Sequence, residues 1–345
     1  MSRLAEWLAT WWWRDRPGPL ALLTPLACVF ATLTAVRRRA WGRAAAAPTD
    51  GPVVIAVGNL VVGGGGKTPV TAAIVRALAA AGWRPGIVTR GYPVSPPRPV
   101  SVTATSSPDD VGDEALIHAM SAPVVVCRER TAAVAQLRCE HPEIDVIVAD
   151  DALQHYALRR DLEVEVVSAG RGYGNRRLLP VGPLREPLSR AEGLPLRLVL
   201  ADPDEVVPAS LAARSIARRR LDPPKHLLSG RDSAWADWQS RRVSLVAGIA
   251  DPAQFARSLA CHRVEGVLHA FPDHHRFSAA DLAGLSADPI LMTTKDAVKL
   301  RGWADDRLWV VGMTVELPTE FVATLTAMTE AARRQRTTVR RACES

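Results

Sequence analysis

An α/β fold built on a mostly parallel sheet with flanking helices is predicted by three features of the sequence. From residue 53 onward, short apolar runs alternate with amphipathic stretches, the pattern of strands joined by crossover helices. One of those runs ends in "GNLVVGGGGKTPVT" (58–71), which places four consecutive glycines before a Lys-Thr pair at a strand-to-helix junction. A proline- and arginine-rich section from about 203 to 242 then lowers the apolar density, and a second α/β series comes after it.

The elements fall in order. Strands are expected near Val53 to Val57, Gly86 to Thr89, Val124 to Cys127, Ile144 to Ala149, Val164 to Ser168 and Leu196 to Ala201. Helices are expected over about 68–81, ending at Gly82, and around 112–120 and 129–139. The second series runs through "VSLVAGI", a helix over 252–260, "VEGVLHAF", a helix from Ala279, "PILMTTKD" and "RLWVVGM". Three units are therefore expected: an N-terminal segment (1–43), a core (44–225) and a smaller C-terminal α/β lobe (226–345).

The N-terminal segment differs in character from the rest. Trp7, Trp11, Trp12 and Trp13 precede a stretch without charge from Pro17 to Val36, and Arg37, Arg38, Arg39 and Arg43 come next. An apolar run of about 20 residues can cross a bilayer, and tryptophans and arginines are its usual interfacial anchors. The arginine cluster predicts that the chain beyond residue 43 stays cytoplasmic. A membrane-associated helix, spanning or interfacial, is expected. The alternative is a buried hairpin of two short helices broken at Pro25.

The formal net charge of +7 suits an acidic partner: nucleic acid, an anionic membrane surface or a phosphorylated substrate. No aromatic-interleaved basic patch or nucleic-acid motif is present, so no nucleic-acid partner is expected, and no protein partner is inferred. The five cysteines are widely spaced and show no CxxC or Cys/His spacing, which suggests neither a disulfide framework nor a zinc site.

A strand, a glycine loop, Lys-Thr and a helix form the arrangement in which backbone N–H groups cradle phosphate oxygens. Gly63, Gly64, Gly65 and Gly66 are the candidate cradle, Lys67 the cation for the β- and γ-phosphates, and Thr68 the hydroxyl for Mg²⁺. Val61 stands where the strict motif has glycine, so the match is to a relaxed form, and a P-loop NTPase-like core is expected. Such a loop needs a second magnesium anchor, which "IDVIVADDALQHY" supplies as Asp150 and Asp151 at a strand end. His155, four residues past Asp151, is a candidate for phosphate contact or for packing. Asp113 and Glu114 in "VGDEALIHA" suit either a helix N-terminus or a carboxylate that positions an attacking hydroxyl. Adjacent histidines in "FPDHH" point to opposite sides of an extended chain, which makes shared zinc ligation awkward.

Taken together, "VGNLVVGGGGKTP", "GDEALIHA", "ADDALQHYALRRDLEVEVV", "GNRRLLPVGPLREP", "FPDHHRFS" and "TTKDAVKL" resemble, in order and spacing, the tetraacyldisaccharide 4'-kinase family of lipid A biosynthesis. The resemblance implies ATP-dependent phosphorylation of the 4'-hydroxyl of an acylated glucosamine disaccharide 1-phosphate at the cytoplasmic face of the bacterial inner membrane. It implies Asp113 as catalytic base assisted by His274, Asp150 and Asp151 at the Mg²⁺ and nucleotide site, and Arg185 and Glu186 at the active site. A membrane-tethered ATPase or GTPase with water as acceptor is the alternative. Three positions depart from the family pattern: Ala152 for glycine, Gly65 for threonine and Thr294 for glutamate.

Overall fold

A computed structural model describes residues 3–44, 51–63, 66–211, 214–285, 288–300 and 302–344. Gly64 and Gly65 of the candidate cradle lie outside the described residues.

The chain opens with α1 (Arg3–Trp12), a 3₁₀ turn (Gly18–Leu23) and α2 (Thr24–Ala44). It continues through β1 (Val53–Gly58), α3 (Lys67–Ala80), β2 (Pro85–Thr89), β3 (Val100–Ser101), α4 (Pro108–Val111), α5 (Asp113–His118), β4 (Val124–Val126) and α6 (Arg130–Glu140). Next come β5 (Val146–Ala149), β6 (Leu162–Ser168), α7 (Ser189–Glu192), β7 (Leu196–Ala201), β8 (Ser215–Leu221) and β9 (Lys225–His226). The remainder is β10 (Ser244–Ala247), α8 (Pro252–Ala260), β11 (Val267–Ala270), α9 (Ala279–Ala283), β12 (Ile290–Thr293), α10 (Thr294–Ala297), β13 (Leu308–Val311), β14 (Met313–Glu316) and α11 (Thr319–Glu344).

The large sheet runs β14-β8-β7-β6-β1-β5-β2-β4-β3 and is parallel except at its two edges, β14 and β3. Strand β1 sits at its centre, buried at every residue. Its side chains alternate between two cores, as a period of two requires. Val53, Ile55 and Val57 face Ile74 and Leu78 of α3, while Val54 and Ala56 face the layer of Leu137, Ile147 and Leu153. Burial on both faces is why these strands read as continuous apolar runs. Register pairs Ala56 with Ala149, so the loops after β1 and β5 leave the sheet side by side. That is the crevice at a strand-order switch where open α/β sheets bind ligands.

A second sheet, β11-β10-β12-β13-β9, is parallel apart from β9 and carries its own two core layers. The expected C-terminal lobe of 226–345 needs correction at its far end. After β13 the chain returns to the large sheet, where β14 pairs with β8 and Phe321 and Leu325 of α11 enter the first core. Arg336 anchors this return with a two-pronged pair to Asp161, at 2.6 and 3.0 Å. Helical periodicity shows that α11 has an apolar face but not which sheet receives it. Strand β8, "SIARRRL", has no counterpart among the expected elements, because its arginines mask the apolar signal of a strand flanked on both sides.

The N-terminal helices are not a buried hairpin broken at Pro25. Pro25 occupies the first turn of α2, where a missing N–H costs nothing, and Pro17 and Pro19 introduce the preceding 3₁₀ turn. Gly18–Trp41 is long and apolar enough to cross a membrane and is 6% buried. Leu22, Leu26, Val29, Leu33 and Val36 are all exposed along it at alternating spacings of four and three, which aligns them on one helix face.

Candidate active site

The phosphate loop hangs between β1 and α3. Gly66 caps α3 with φ +72, and a Cβ there would stand 2.3 Å from Leu200 Cδ2, so a side chain at this position would be strained and would have to push Leu200 aside. Lys67 Nζ lies 3.3 Å from Asn59 Oδ1 and 3.4 Å from Asp151 Oδ1. Asn59 is fully buried and its amide reaches Gly63 O at 3.4 Å, tying the loop's first glycine to its lysine.

The two acids at the end of β5 have separate environments. Asp150 is buried, and its oxygens accept hydrogen bonds from Thr71 Oγ1 at 2.9 Å and pair with His118 Nε2 at 3.0 Å. Burial pushes its carboxyl up, but His118, Lys67 and Thr71 together bring it below the usual value, so it stays ionised. Asp151 adopts φ +47, a left-handed conformation that aspartate tolerates better than most residues, and its carboxylate is part exposed beside Lys67. Arg185 Nη1 donates to Asp151 Oδ1 at 3.3 Å and to Gln154 Oε1 at 3.2 Å. Gln154 in turn donates to Asn59 O at 3.1 Å and to Glu186 Oε1 at 3.0 Å.

Glu186 is not the surface partner that a Pro-bounded turn suggests. It is fully buried, 3.6 Å from Arg190 and 3.8 Å from Arg38 of α2. His155 stands 4.0 Å from Glu129 and within the field of Arg130. Burial and then Arg130 lower its pKa from 6.5 to about 4. Between those two values the unfolded chain holds a proton that native His155 refuses, so this contribution to stability is present above 6.5 and lost as pH falls toward 4. The urea midpoint is accordingly expected to fall over that window. His155→Gln should flatten the fall, and an unchanged slope would count against a neutral buried His155.

The second half of the site assembles across the two sheets. Gly112, at φ +82 and with room for no Cβ beside Tyr92 O (2.6 Å), turns the chain into α5 and delivers Asp113. From the other sheet, the loop after β11 delivers His274, itself at φ +60. His274 Nδ1 lies 2.9 Å from Asp113 Oδ2 and 3.1 Å from Oδ1, with Tyr92 edge-on to the imidazole at 5.0 Å. His275 diverges to Asp281 at 3.2 Å and stacks on Phe271. Asp113 is 3% exposed; burial raises its carboxyl, and the His274 hydrogen bond with Lys295 and Lys299 more than offsets this, holding it below the ordinary range.

Residues to which the sequence assigned no role at the site adjoin it. Lys295 Nζ lies 3.0 Å from Asp273, 3.3 Å from His274 Nε2, 3.6 Å from Glu114 and 4.0 Å from Asp113. Asp296, fully buried, accepts from Gly248 N, Thr293 Oγ1 and Lys299 Nζ and thereby seats α10. Burial pushes Glu114 up against the opposing charge of Lys295, with Asp150 and Asp113 adding to the rise and Lys67 opposing it. Its carboxyl thus feels both halves of the site. Asn59, His118 and Gln154 stand inside the quoted motifs, but no spacing rule singles them out.

A glycine loop with its lysine, an acid pair at the neighbouring strand end and a carboxylate-histidine pair joining the two sheets suit a P-loop phosphotransferase. The sequence profile of the family described as LpxK, tetraacyldisaccharide-1-P 4'-kinase, matches residues 19–330. A tetraacyldisaccharide 4'-kinase of Azoarcus sp. (strain BH72) is 44% identical over 312 residues, covering 89% of this chain and 91% of that protein. One from Stenotrophomonas maltophilia (strain R551-3) is 42% identical over 325 residues, covering 92% and 94%. In fold, the chain is similar to a crystal structure of LpxK from Aquifex aeolicus in complex with ATP, with a TM-score of 0.72 and 23% identity over 91% of this chain and 99% of that one. The chain belongs to the tetraacyldisaccharide-1-P 4'-kinase family, kinases that carry out ATP-dependent 4'-phosphorylation in lipid A biosynthesis.

Proposed function

We propose that this chain transfers the γ-phosphoryl of ATP to the 4'-hydroxyl of an acylated glucosamine disaccharide 1-phosphate, with Asp113 and His274 as the base pair. The observation that carries the assignment is the 2.9 Å approach of His274 Nδ1 to Asp113 Oδ2 between two separate sheets. Asp113 accepts the hydroxyl proton, and the imidazole, hydrogen-bonded to the carboxylate, holds it in place.

The phosphates of ATP occupy the loop of Gly63 to Thr68, where Lys67 exchanges Asp151 for phosphate oxygens. Oxygen donors at the site suit a hard cation that keeps substrate phosphates among its ligands. Thr68 and Asp151 would hold Mg²⁺, with Asp150, committed to Thr71 and His118, behind them. Bound there, the ion would neutralise charge on the β- and γ-phosphates. Arg185 holds Asp151 toward the loop, and buried Glu186 fixes Gln154 beneath it.

The exposed face of α2 beds in the membrane that contains the acylated substrate. The arginines at its C-terminal end meet an anionic leaflet on the cytoplasmic side of the inner membrane. Helix α2 touches the catalytic body where Arg38 approaches Glu186.

The test is transfer of radiolabelled γ-phosphate from ATP to the acylated disaccharide 1-phosphate in detergent micelles. Labelled lipid supports the kinase, and inorganic phosphate released without labelled lipid supports the hydrolase alternative. His274→Ala is expected to lower turnover by about 10- to 100-fold with ATP binding retained. Unchanged turnover would remove the assembled pair.

A further inference from the structure

From the partners of the His274 ring we infer that Lys295 is a positioning residue, which holds His274 as the neutral Nδ1–H tautomer and so keeps Asp113 able to take a proton. The inference rests on the reading of Asp113 and His274 as the base pair.

Nδ1 faces both oxygens of Asp113, at 2.9 and 3.1 Å, and an ionised carboxylate only accepts, so Nδ1 carries the hydrogen. Nε2 faces Lys295 Nζ at 3.3 Å, and an ammonium only donates, so Nε2 presents its lone pair. Asp273, which would otherwise draw a proton onto Nε2, stands 3.7 Å from it. Its Oδ1 is occupied instead by Lys295 at 3.0 Å and by the His274 backbone N–H at 3.1 Å. Lys295 thus stands between two acceptors, pairing with Asp273 Oδ1 while it faces Nε2.

A proton arriving at Nε2 would meet that ammonium head-on. The Nε2 lone pair is thus already taken up by the Lys295 ammonium. Around this ring stand Asp113 on α5, Tyr92 on the loop after β2, Asp273 on its own loop and Lys295 of α10, with Glu114 beside Lys295 and Lys299 beside Asp113. Lys295 keeps its own charge: burial would lower its pKa, but Glu114, Asp113 and Asp273 together raise it. Lys299, the second cation, lies 3.8 Å from Asp113 and is committed to Asp296 at 3.0 Å, so it cannot take over at Nε2.

This arrangement matters for proton transfer. An imidazolium beside Asp113 would stabilise the carboxylate and weaken it as a base, whereas a neutral imidazole leaves the pair with one net negative charge to be discharged by the incoming proton. Lys295 sits at the start of α10, directly after Thr294, and reaches back across the cleft to α5. The same contacts that set the tautomer also tie the two halves of the site together.

Selective ¹⁵N-histidine spectra of the full chain in micelles, with His274 identified by its loss in His274→Gln, read the tautomer directly. At neutral pH the wild type is expected to show a protonated Nδ1 and a bare Nε2. A protonated Nε2 in the wild type would overturn the inference and requires no variant to fold. In Lys295→Met, Nε2 should take up a proton, and the acid limb of kcat/KM should move up by about one pH unit, with ATP KM within about twofold. Lys295→Arg should restore most of the wild-type profile. A Lys295→Met profile that superimposes on the wild type would overturn the inference. Failure of the base-pair reading would look different: His274→Ala would keep full turnover while the wild-type tautomer remained as inferred.

Discussion

Replacing Asp113 with asparagine is expected to lower turnover by about 10²- to 10⁴-fold while leaving ATP KM within about twofold. Asparagine has the same shape and keeps one acceptor oxygen, so it can still receive His274 Nδ1–H and the Glu114 backbone N–H, which Asp113 now accepts at 2.9 Å. What disappears is the ability to take a proton. Because His274 and the surrounding lysines hold the Asp113 carboxyl below its ordinary range, the group is already ionised at neutral pH, and the loss should not be recovered by raising the pH. Folding should be largely retained, since Lys299 keeps Asp296 and Lys295 keeps Asp273 and Glu114 as counter-charges. Single-turnover phosphate transfer, a thermal melt and fluorescent-nucleotide binding on the same preparation check this. Wild-type turnover, or a matching collapse of nucleotide binding, would reject Asp113 as the base.

The nucleotide side of this site was the more legible half in the sequence, for a physical reason. Lys67, Thr68, Asp150 and Asp151 lie where strands of the large sheet end, and a strand end is marked locally by an apolar run meeting glycines or acids. The β1 and β5 runs are buried on both faces, so their signal is strong and their registers place the two loops together. His274 carries no such mark. It comes from a short loop after an exposed strand of the second sheet, and only the family resemblance joined it to Asp113 across 161 positions of sequence. Lys295 was harder still, because a lysine near a helix start reads as a solvated charge, and its partners come from two distant chain segments, α5 and the loop after β11. Glu186 shows the opposite failure. A charged residue between prolines and arginines reads as surface, whereas folding buries it completely among Gln154, Arg190 and Arg38. Topology misled in one further place: α11 has a clear apolar face, but only the sheet order shows that it closes the first core.

Lys67→Met is expected to produce a different lesion from Asp113→Asn: turnover lower by about 10²- to 10³-fold, which corresponds to about 3 kcal/mol of transition-state stabilisation, together with a raised ATP KM. The methionine keeps the aliphatic stem that packs behind the loop, so the change isolates the charge. Without ligand, that charge bridges Asn59 and Asp151. Losing the bridge should cost little stability, because the Asp151 side chain is 39% exposed and Arg185 remains beside it at 3.3 Å. With nucleotide bound, the same ammonium meets the β- and γ-phosphates. Arg185 is held toward Gln154, and a guanidinium at position 67 would have to unfold its fork beside Gly66, which already sits against Leu200. Lys67→Arg should therefore recover less than a tenth of the lost rate. The comparison with Asp113→Asn makes the prediction decisive. If the two residues serve opposite ends of the transferred phosphoryl group, only the Lys67 variant loses nucleotide affinity, and equilibrium nucleotide binding to both variants measures that split. Equal affinity in the two would mean that Lys67 does not contact the phosphates, and the loop of Gly63 to Thr68 would lose its assigned role.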